Sequence, residues 1–292
     1  MTIVAGFSAG RHGSAPLHLA AELARCTFDR IIAAAIVERP WPPRGDPVEK
    51  EYLGYITSQA RTSLERVVGE MSGDVEISVV VHKATSVPAG LTELATHHRA
   101  EAVVVGSSSS GLLGRVALGS VTDRLVHTAA VPVAIAPRSY PSSSEPVRRL
   151  TVAYGGHADA VRLIETAVEL AMRWSVRLRI ASFSVRPVAV FGGSIEPSAE
   201  GLVVEQWSKR TAQEVTAQLD EIRARITTPD VEVVVGVSHD WREAVEDVAW
   251  EAGDLLLLGS GAAGPTAQVF LGSAAAKILR HSPVPVMIVP KR

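Results

Sequence analysis

Short uninterrupted apolar runs alternate along the chain with longer stretches in which apolar residues return every third or fourth position. The first pattern predicts strands buried on both faces and the second predicts helices, so together they predict parallel sheets covered by helices on both sides. In the first part of the chain, strands are predicted near residues 2–7, 30–37, 76–82, 102–105 and 131–136. In the second part they fall near residues 150–154, 177–183, 231–236, 254–258 and 285–289. A helix opening near Ser14 puts Leu17, Ala20, Ala21 and Ala24 on one face, and another near Gly90 does the same with Leu91, Leu94 and Ala95. These stripes are core positions. Acidic groups at helical spacing over residues 214–221, beside Lys209, Arg210 and Arg223, mark an exposed helix face.

The same unit occurs twice. Val131-Pro-Val-Ala-Ile-Ala-Pro137 returns as Val284-Pro-Val-Met-Ile-Val-Pro290, an offset of 153 (284 less 131). Leu118-Gly119-Ser120 returns at the same offset as Leu271-Gly272-Ser273, and Val103-Val-Val-Gly106 returns as Leu256-Leu-Leu-Gly259. Nearer the start, Ala20-Ala-Glu-Leu-Ala24 returns as Ala167-Val-Glu-Leu-Ala171, an offset of 147 (167 less 20). The difference between the offsets places a length change within the unit, around the Pro-rich residues 40–47, where a surface loop absorbs it. A Pro/Ser-rich stretch without apolar period separates the copies. The chain is therefore divided into a first domain, residues 1–138, a linker, 139–146, and a second domain, 147–292. Five strands and four helices in each copy predict two tandem, open, doubly wound parallel sheets, an α/β architecture. Such sheets bind ligands beyond the carboxyl ends of their strands, where the winding reverses.

Composition narrows the function. A length of 292 residues suits two domains, and 47% hydrophobic with 21% charged residues is the balance of a globular chain. A formal charge of −2 offers no basic field for nucleic acid, and 5% aromatic residues leave little for stacking platforms. A lone cysteine, Cys26, rules out an internal disulfide framework or a thiolate metal cluster and reads as a buried small hydrophobe. The start of the chain shows no basic segment followed by an apolar run, and the longest apolar runs fall well short of the ~20 residues that a membrane helix needs. The expected compartment is the cytoplasm, with no membrane partner.

The candidate chemistry sits at the strand ends. The fourth strand of each copy ends in a glycine and enters a small-residue loop, Gly106-Ser-Ser-Ser-Ser-Gly-Leu-Leu-Gly114 in the first and Gly259-Ser-Gly-Ala-Ala-Gly-Pro265 in the second. Glycine and serine let a backbone approach a ligand and turn its N–H groups toward an anion. Gly119-Ser120 and Gly272-Ser273 follow, each ahead of a helix. Ser120 and Ser273 are expected as N-caps, with free first-turn N–H groups suited to phosphate. A tight loop with an ordinary cap explains the same residues equally well. Occurrence of both features together, twice, favours the functional reading.

Glycine, two residues, a second position, nine residues, then glycine-serine before a helix and a VPV strand resembles the nucleotide loop of the universal stress proteins. The resemblance covers essentially the whole chain as two tandem copies. It implies a five-stranded, adenine nucleotide alpha hydrolase-like fold in each, paired about a pseudo-two-fold axis partly through the last strands. It further implies a role in stress adaptation through binding a nucleotide or a protein partner, with ATP as the cofactor class and no dedicated turnover. The positions carried over are Ser8, Ile36, Gly106, Ser107, Ser109, Gly119, Ser120 and Val121 in the first copy. In the second they are Gly259, Ser260, Ala262, Gly272, Ser273 and Ala274. Ile36 and Phe183 align with the residue after the second strand whose main chain faces adenine. This chain departs from the pattern where Ser109 and Ala262 replace a loop glycine, and where Ser8 and Gly155 replace an aspartate that faces the adenosine. The departures imply a weakened site in both copies. Arg115 and Arg124 beside the first loop, against Lys277 alone beside the second, rank the first copy above the second.

Other motifs fail on context. Gly6-Phe-Ser8-Ala-Gly10 fits GxSxG, but only five residues precede it, leaving no earlier strands to build an oxyanion hole. Gly259-Ser-Gly261-Ala-Ala-Gly264 fits GxGxxG without the acidic partner and the sheet that should follow. No Walker lysine loop occurs, and the histidines lack metal spacing. Two rival functions remain: a scaffold of the same fold acting through protein contacts alone, and a slow ATPase or phosphate-ester hydrolase using the loop serines. The absence of an identifiable base or metal site places the enzyme last.

Overall fold

The computed structural model of the chain describes residues 2–9, 13–27, 29–39, 45–71, 73–108, 112–155, 159–185, 197–262 and 269–290. The first half runs β1 (Thr2–Phe7), α1 (Ala15–Thr27), β2 (Arg30–Glu38), α2 (Pro47–Gly69), β3 (Ile77–Ala84), α3 (Val87–His97), β4 (Ala102–Gly106), α4 (Ser120–Thr128) and β5 (Val133–Ala136). The second half opens with β6 (Arg149–Tyr154), α5 (Asp159–Trp174), β7 (Arg177–Val185), α6 (Pro197–Arg223) and β8 (Val231–Ser238). It continues with α7 (Trp241–Glu246), β9 (Asp254–Gly259), β10 (Gly261–Ala262), β11 (Val269–Phe270), α8 (Ser273–His281) and β12 (Val286–Val289).

The main strands form one sheet in the order β3-β2-β1-β4-β5-β12-β9-β6-β7-β8. Within each half the pairing is parallel, and the halves join antiparallel through β5 and β12, with Val286 opposite Ile135 and Ile288 opposite Val133. The strands read as unbroken apolar runs because both faces of the sheet are buried. Ile3, Ala5, Ile31, Ala33, Leu255 and Leu257 enter one core, while Val4, Ile32, Ala34, Leu256 and Leu258 enter the other. Each core draws on both halves, so the repeats share their hydrophobic interior instead of touching at a polar seam.

The differences from expectation are local. Strands β5 and β12 start after Pro132 and Pro285, which lack an N–H, yet both proline carbonyls still accept from the ladder, from Val103 at 2.9 Å and Leu256 at 2.9 Å. Helix α3 opens at Val87, ahead of Gly90, because the Ser86 hydroxyl caps it by accepting from the Ala89 N–H at 3.3 Å. Gly90 lies within that helix because a Cβ there would stand 2.9 Å from Ile36 Cγ2 and Ala84 Cβ. The second half solves the same crowding from the strand side: a Cβ on Gly236 of β8 would run into the Ala244 carbonyl of α7. The second half also contains one ribbon beyond its five strands, β10 paired antiparallel with β11. Cys26 is half-buried, its thiol against the carbonyls of Glu22 and Val147, and burial pushes its pKa up to about 11.

Candidate functional site

In both halves the crossover after the fourth strand is closed at its base by its own hydrogen bonds. The Ser107 amide donates to the Ala136 carbonyl at 2.9 Å, and the Ser107 hydroxyl accepts from the Ala117 amide at 2.6 Å. The Ser108 amide donates to the Ala117 carbonyl at 2.8 Å. Ser260 repeats the first contact, its amide donating to the Val289 carbonyl at 3.1 Å, and the Gly261–Phe270 pairing repeats the second as a formal ribbon. Amides at Ser107, Ser108 and Ser260 are thus used inside the protein, against the expectation that these loop amides face an anion.

The helix starts behave differently. Gly119 and Gly272 occupy the cap positions with no side-chain cap, and Ser120 and Ser273 are the first helical residues, which corrects their expected role as caps. Glycine is itself an accepted cap residue, so the helix can start one position earlier, and with no side chain it leaves the helix mouth uncovered. The first amides to return to the caps are Asp123 to the Gly119 carbonyl at 2.8 Å and Ala276 to the Gly272 carbonyl at 2.9 Å. Among the described residues, the amides of Ser120, Val121 and Thr122, and of Ser273, Ala274 and Ala275, have no acceptor. Thr122 fixes the first helix to its strand, its hydroxyl donating to the Gly106 carbonyl at 3.1 Å.

A cavity of about 1170 Å³ lies at the carboxyl ends of the second half's strands. Gly259, Ser260, Gly272, Ser273 and Ala274 line it together, with Gly155 just past β6 and with Phe183, which lies inside β7 and not after it because β8 holds β7 in register as far as Val185 opposite Ser238. Its wall continues onto α5 and onto Val131 and Pro132 at the start of β5. Tyr154 and Trp241 also line it, and the sequence pattern singled out neither. Burial, with the charge of Glu214, pushes the Tyr154 hydroxyl pKa up. The Lys277 ammonium stands 5.3 Å from the Trp241 ring centroid. Ala262 sits in β10 opposite Val269.

In the first half, Ser8 is exposed just past β1. Ile36 lies inside β2 and not after it, with its side chain against Gly90, because β3 holds β2 in register as far as Glu38 opposite Ala84. Pairing with β1 ends earlier, at Phe7 opposite Ala35, which leaves Ile36 past that edge. Ser109 lies outside the described residues. Arg115 does not face the phosphate position. Its guanidinium donates to the His281 carbonyl at 2.6 Å and pairs with Glu246, both in the second half. Of the two arginines that ranked the first copy higher, Arg115 is therefore engaged at the junction, while Arg124 is exposed on α4. Among the described residues, no group of three His, Cys, Asp or Glu side chains could hold a metal ion, and no helix is long and apolar enough to cross a membrane.

Two doubly wound units joined at their last strands, each with a glycine-serine crossover above its sheet, define a tandem α/β protein. Comparison with known proteins gives the family. The pattern of the Universal stress protein family matches residues 1–137 and again 146–290. A universal stress protein of Mycobacterium tuberculosis is 35% identical over 99% of this chain and 100% of its own length. One from Mycolicibacterium smegmatis is 25% identical over 91% of this chain and 87% of its own. The chain belongs to the universal stress protein family. A crystal structure of a universal stress protein from Archaeoglobus fulgidus shares the fold with a TM-score of 0.60 at 16% identity, covering 100% of this chain and 98% of that one.

Proposed function

We propose that this chain is a cytoplasmic stress-response module that binds an adenine-type nucleotide in the cavity of its second half, weakly and without turnover. The observation that carries the reading is convergence: five residues carried over from the family pattern, Gly259, Ser260, Gly272, Ser273 and Ala274, line one cavity with Gly155 past β6 and Phe183 of β7. Three amides with no acceptor among the described residues open the helix at its wall, and aligned peptide dipoles make such a helix start favourable for phosphate. The hold is weak because Gly155 brings no carboxylate to the ribose. The amides and serine hydroxyls of the residues carried over bind an anion but accept no proton near neutral pH, so binding is the proposed activity. The first half is taken as the lesser candidate because Arg115, one of the two arginines near its loop, is committed to the junction, which leaves Arg124 alone.

Calorimetric titration with ATP, ADP and AMP tests this. Gly272→Asp is the informative variant: among the described residues a Cβ there meets nothing within 4 Å, and aspartate is a good cap, so the helix start is kept while a carboxylate occupies the phosphate position. The expected result is heat with ATP, an affinity about tenfold lower in Gly272→Asp, and a change under about twofold in Gly119→Asp. No heat with any nucleotide at millimolar concentration overturns the reading and leaves the protein-contact scaffold. Phosphate release that falls in Gly272→Asp would favour the slow ATPase.

A further inference from the structure

We infer that occupancy of the second half's cavity is transmitted to the first half's crossover through Arg115, an inference that rests on the nucleotide reading above. Both partners of this one guanidinium lie on helices that begin at the cavity. Helix α8 starts with Ser273, which lines the cavity, and ends at His281, whose carbonyl accepts from Arg115 at 2.6 Å. Helix α7 starts with Trp241, also in the lining, and ends at Glu246, which pairs with Arg115 and with Arg242. The two helices pack together, and Lys277 in the middle of α8 ties it to the Trp241 ring at the start of α7. Nine residues of α-helix form a stiff rod of about 13 Å, so a ligand that draws on the first-turn amides of α8 displaces the carbonyl at its far end.

Arg115 is well placed to pass that displacement on. Its carbonyl accepts from the Arg138 amide at 3.2 Å, and the adjacent Gly114 amide donates to the Arg138 carbonyl at 3.0 Å. The Ser107 hydroxyl is within 3.3 Å of the same Arg115 carbonyl. A shift at the guanidinium therefore reaches the closure of the first crossover. The return contact exists as well: β11, which follows the second crossover, packs on α4, the helix that opens at Ser120.

Hydrogen exchange on the full chain, with and without millimolar ATP, tests the inference. In the wild type, ATP is expected to slow exchange over residues 273–281 and over residues 112–119. In Arg115→Gln and in Glu246→Gln, the first effect stays and the second is lost. Gly119→Asp must retain both effects, which separates transmission from direct binding at the first loop. Slowing over 273–281 alone in the wild type overturns the coupling and leaves the nucleotide reading standing. Slowing of 112–119 that survives in Arg115→Gln and Glu246→Gln overturns the role of Arg115. Slowing over neither segment removes the nucleotide reading, and the coupling with it.

Discussion

The two halves fill the early part of their first two strands differently. In the first half, Val4 on β1 and its register partner Ile32 on β2 are apolar members of one core. The corresponding pair in the second half is Thr151 on β6 and Arg179 on β7, both fully buried. Arg179 donates to the Thr151 hydroxyl at 3.1 Å and the Ala249 carbonyl at 2.7 Å, stacks 5.0 Å from the Trp250 ring, and lies 3.5 Å from Asp254. Arg149 forks onto the same Asp254 carboxylate at 2.8 and 2.7 Å. Burial and the charge of Arg149 hold the Arg179 pKa below its ordinary value. One copy of a single ancestral unit is thus filled with hydrocarbon, while the other holds two guanidiniums on one buried carboxylate. The fold tolerates both because every donor in the second arrangement that the geometry resolves has an acceptor.

The sharpest way to break this comparison is to remove the carboxylate. Asp254→Asn leaves two buried cations without their main counter-charge and is expected to lower stability by about 3–5 kcal/mol. The repeat equivalent, Glu101, is paired at 3.2 Å with the half-exposed Arg173, and Glu101→Gln is expected to lose under about 1 kcal/mol. Urea unfolding measures both, and equal losses would erase the distinction between the halves.

Next in size is a glutamate that the repeat places identically but the linker treats differently. Glu22 on α1 is buried beneath Tyr140, whose hydroxyl donates to it at 2.8 Å, while Glu169 on α5 is exposed. Burial pushes the Glu22 pKa from 4.5 up to about 7, against the opposing pull of the Tyr140 hydrogen bond and the Arg25 charge. The folded protein therefore binds a proton that the unfolded chain releases. The contribution is fully present below pH 4.5 and is lost as pH rises through 7. Wild type is expected to lose up to about 3 kcal/mol of stability across that window, Glu22→Gln to lose that slope, and Glu169→Gln to keep it. Thermal melts at pH 5, 6, 7 and 8 decide among these outcomes.

The smallest expected effect sharpens the same contrast from the opposite side. Thr151→Val with Arg179→Ile rebuilds the first half's apolar pair inside the second and leaves Arg149 and Asp254 one to one. Stability is expected to stay level or rise by about 1 kcal/mol, because replacing a buried charge with well-packed hydrocarbon offsets the lost contacts. A loss above about 2 kcal/mol would mean that the Trp250 and Ala249 contacts outweigh the desolvation of Arg179.

How much of this was legible in the sequence follows from the range of each interaction. Strands buried on both faces write themselves as runs such as residues 255–258, and duplication shows as a constant offset, so the α/β fold and the repeat could be read directly. The cavity residues Gly272 and Ser273 were legible because a helix start is a local signal. The shift of the cap from Ser273 to Gly272 was not, since serine suits either position. Arg115 read as a phosphate-side cation because its real partners, Glu246 and His281, stand more than a hundred residues away. Arg179 carries no local mark of burial, and only Asp254 in the folded sheet explains it. The β10–β11 ribbon was hidden because its strands are two residues each.

The most direct test of the nucleotide reading is a crystal structure of the full chain grown with ATP. The account predicts phosphate density against the amides of Ser273, Ala274 and Ala275, with the base toward Phe183. Phosphate held instead at Ser120, Val121 and Thr122, or no nucleotide in either half, would contradict it.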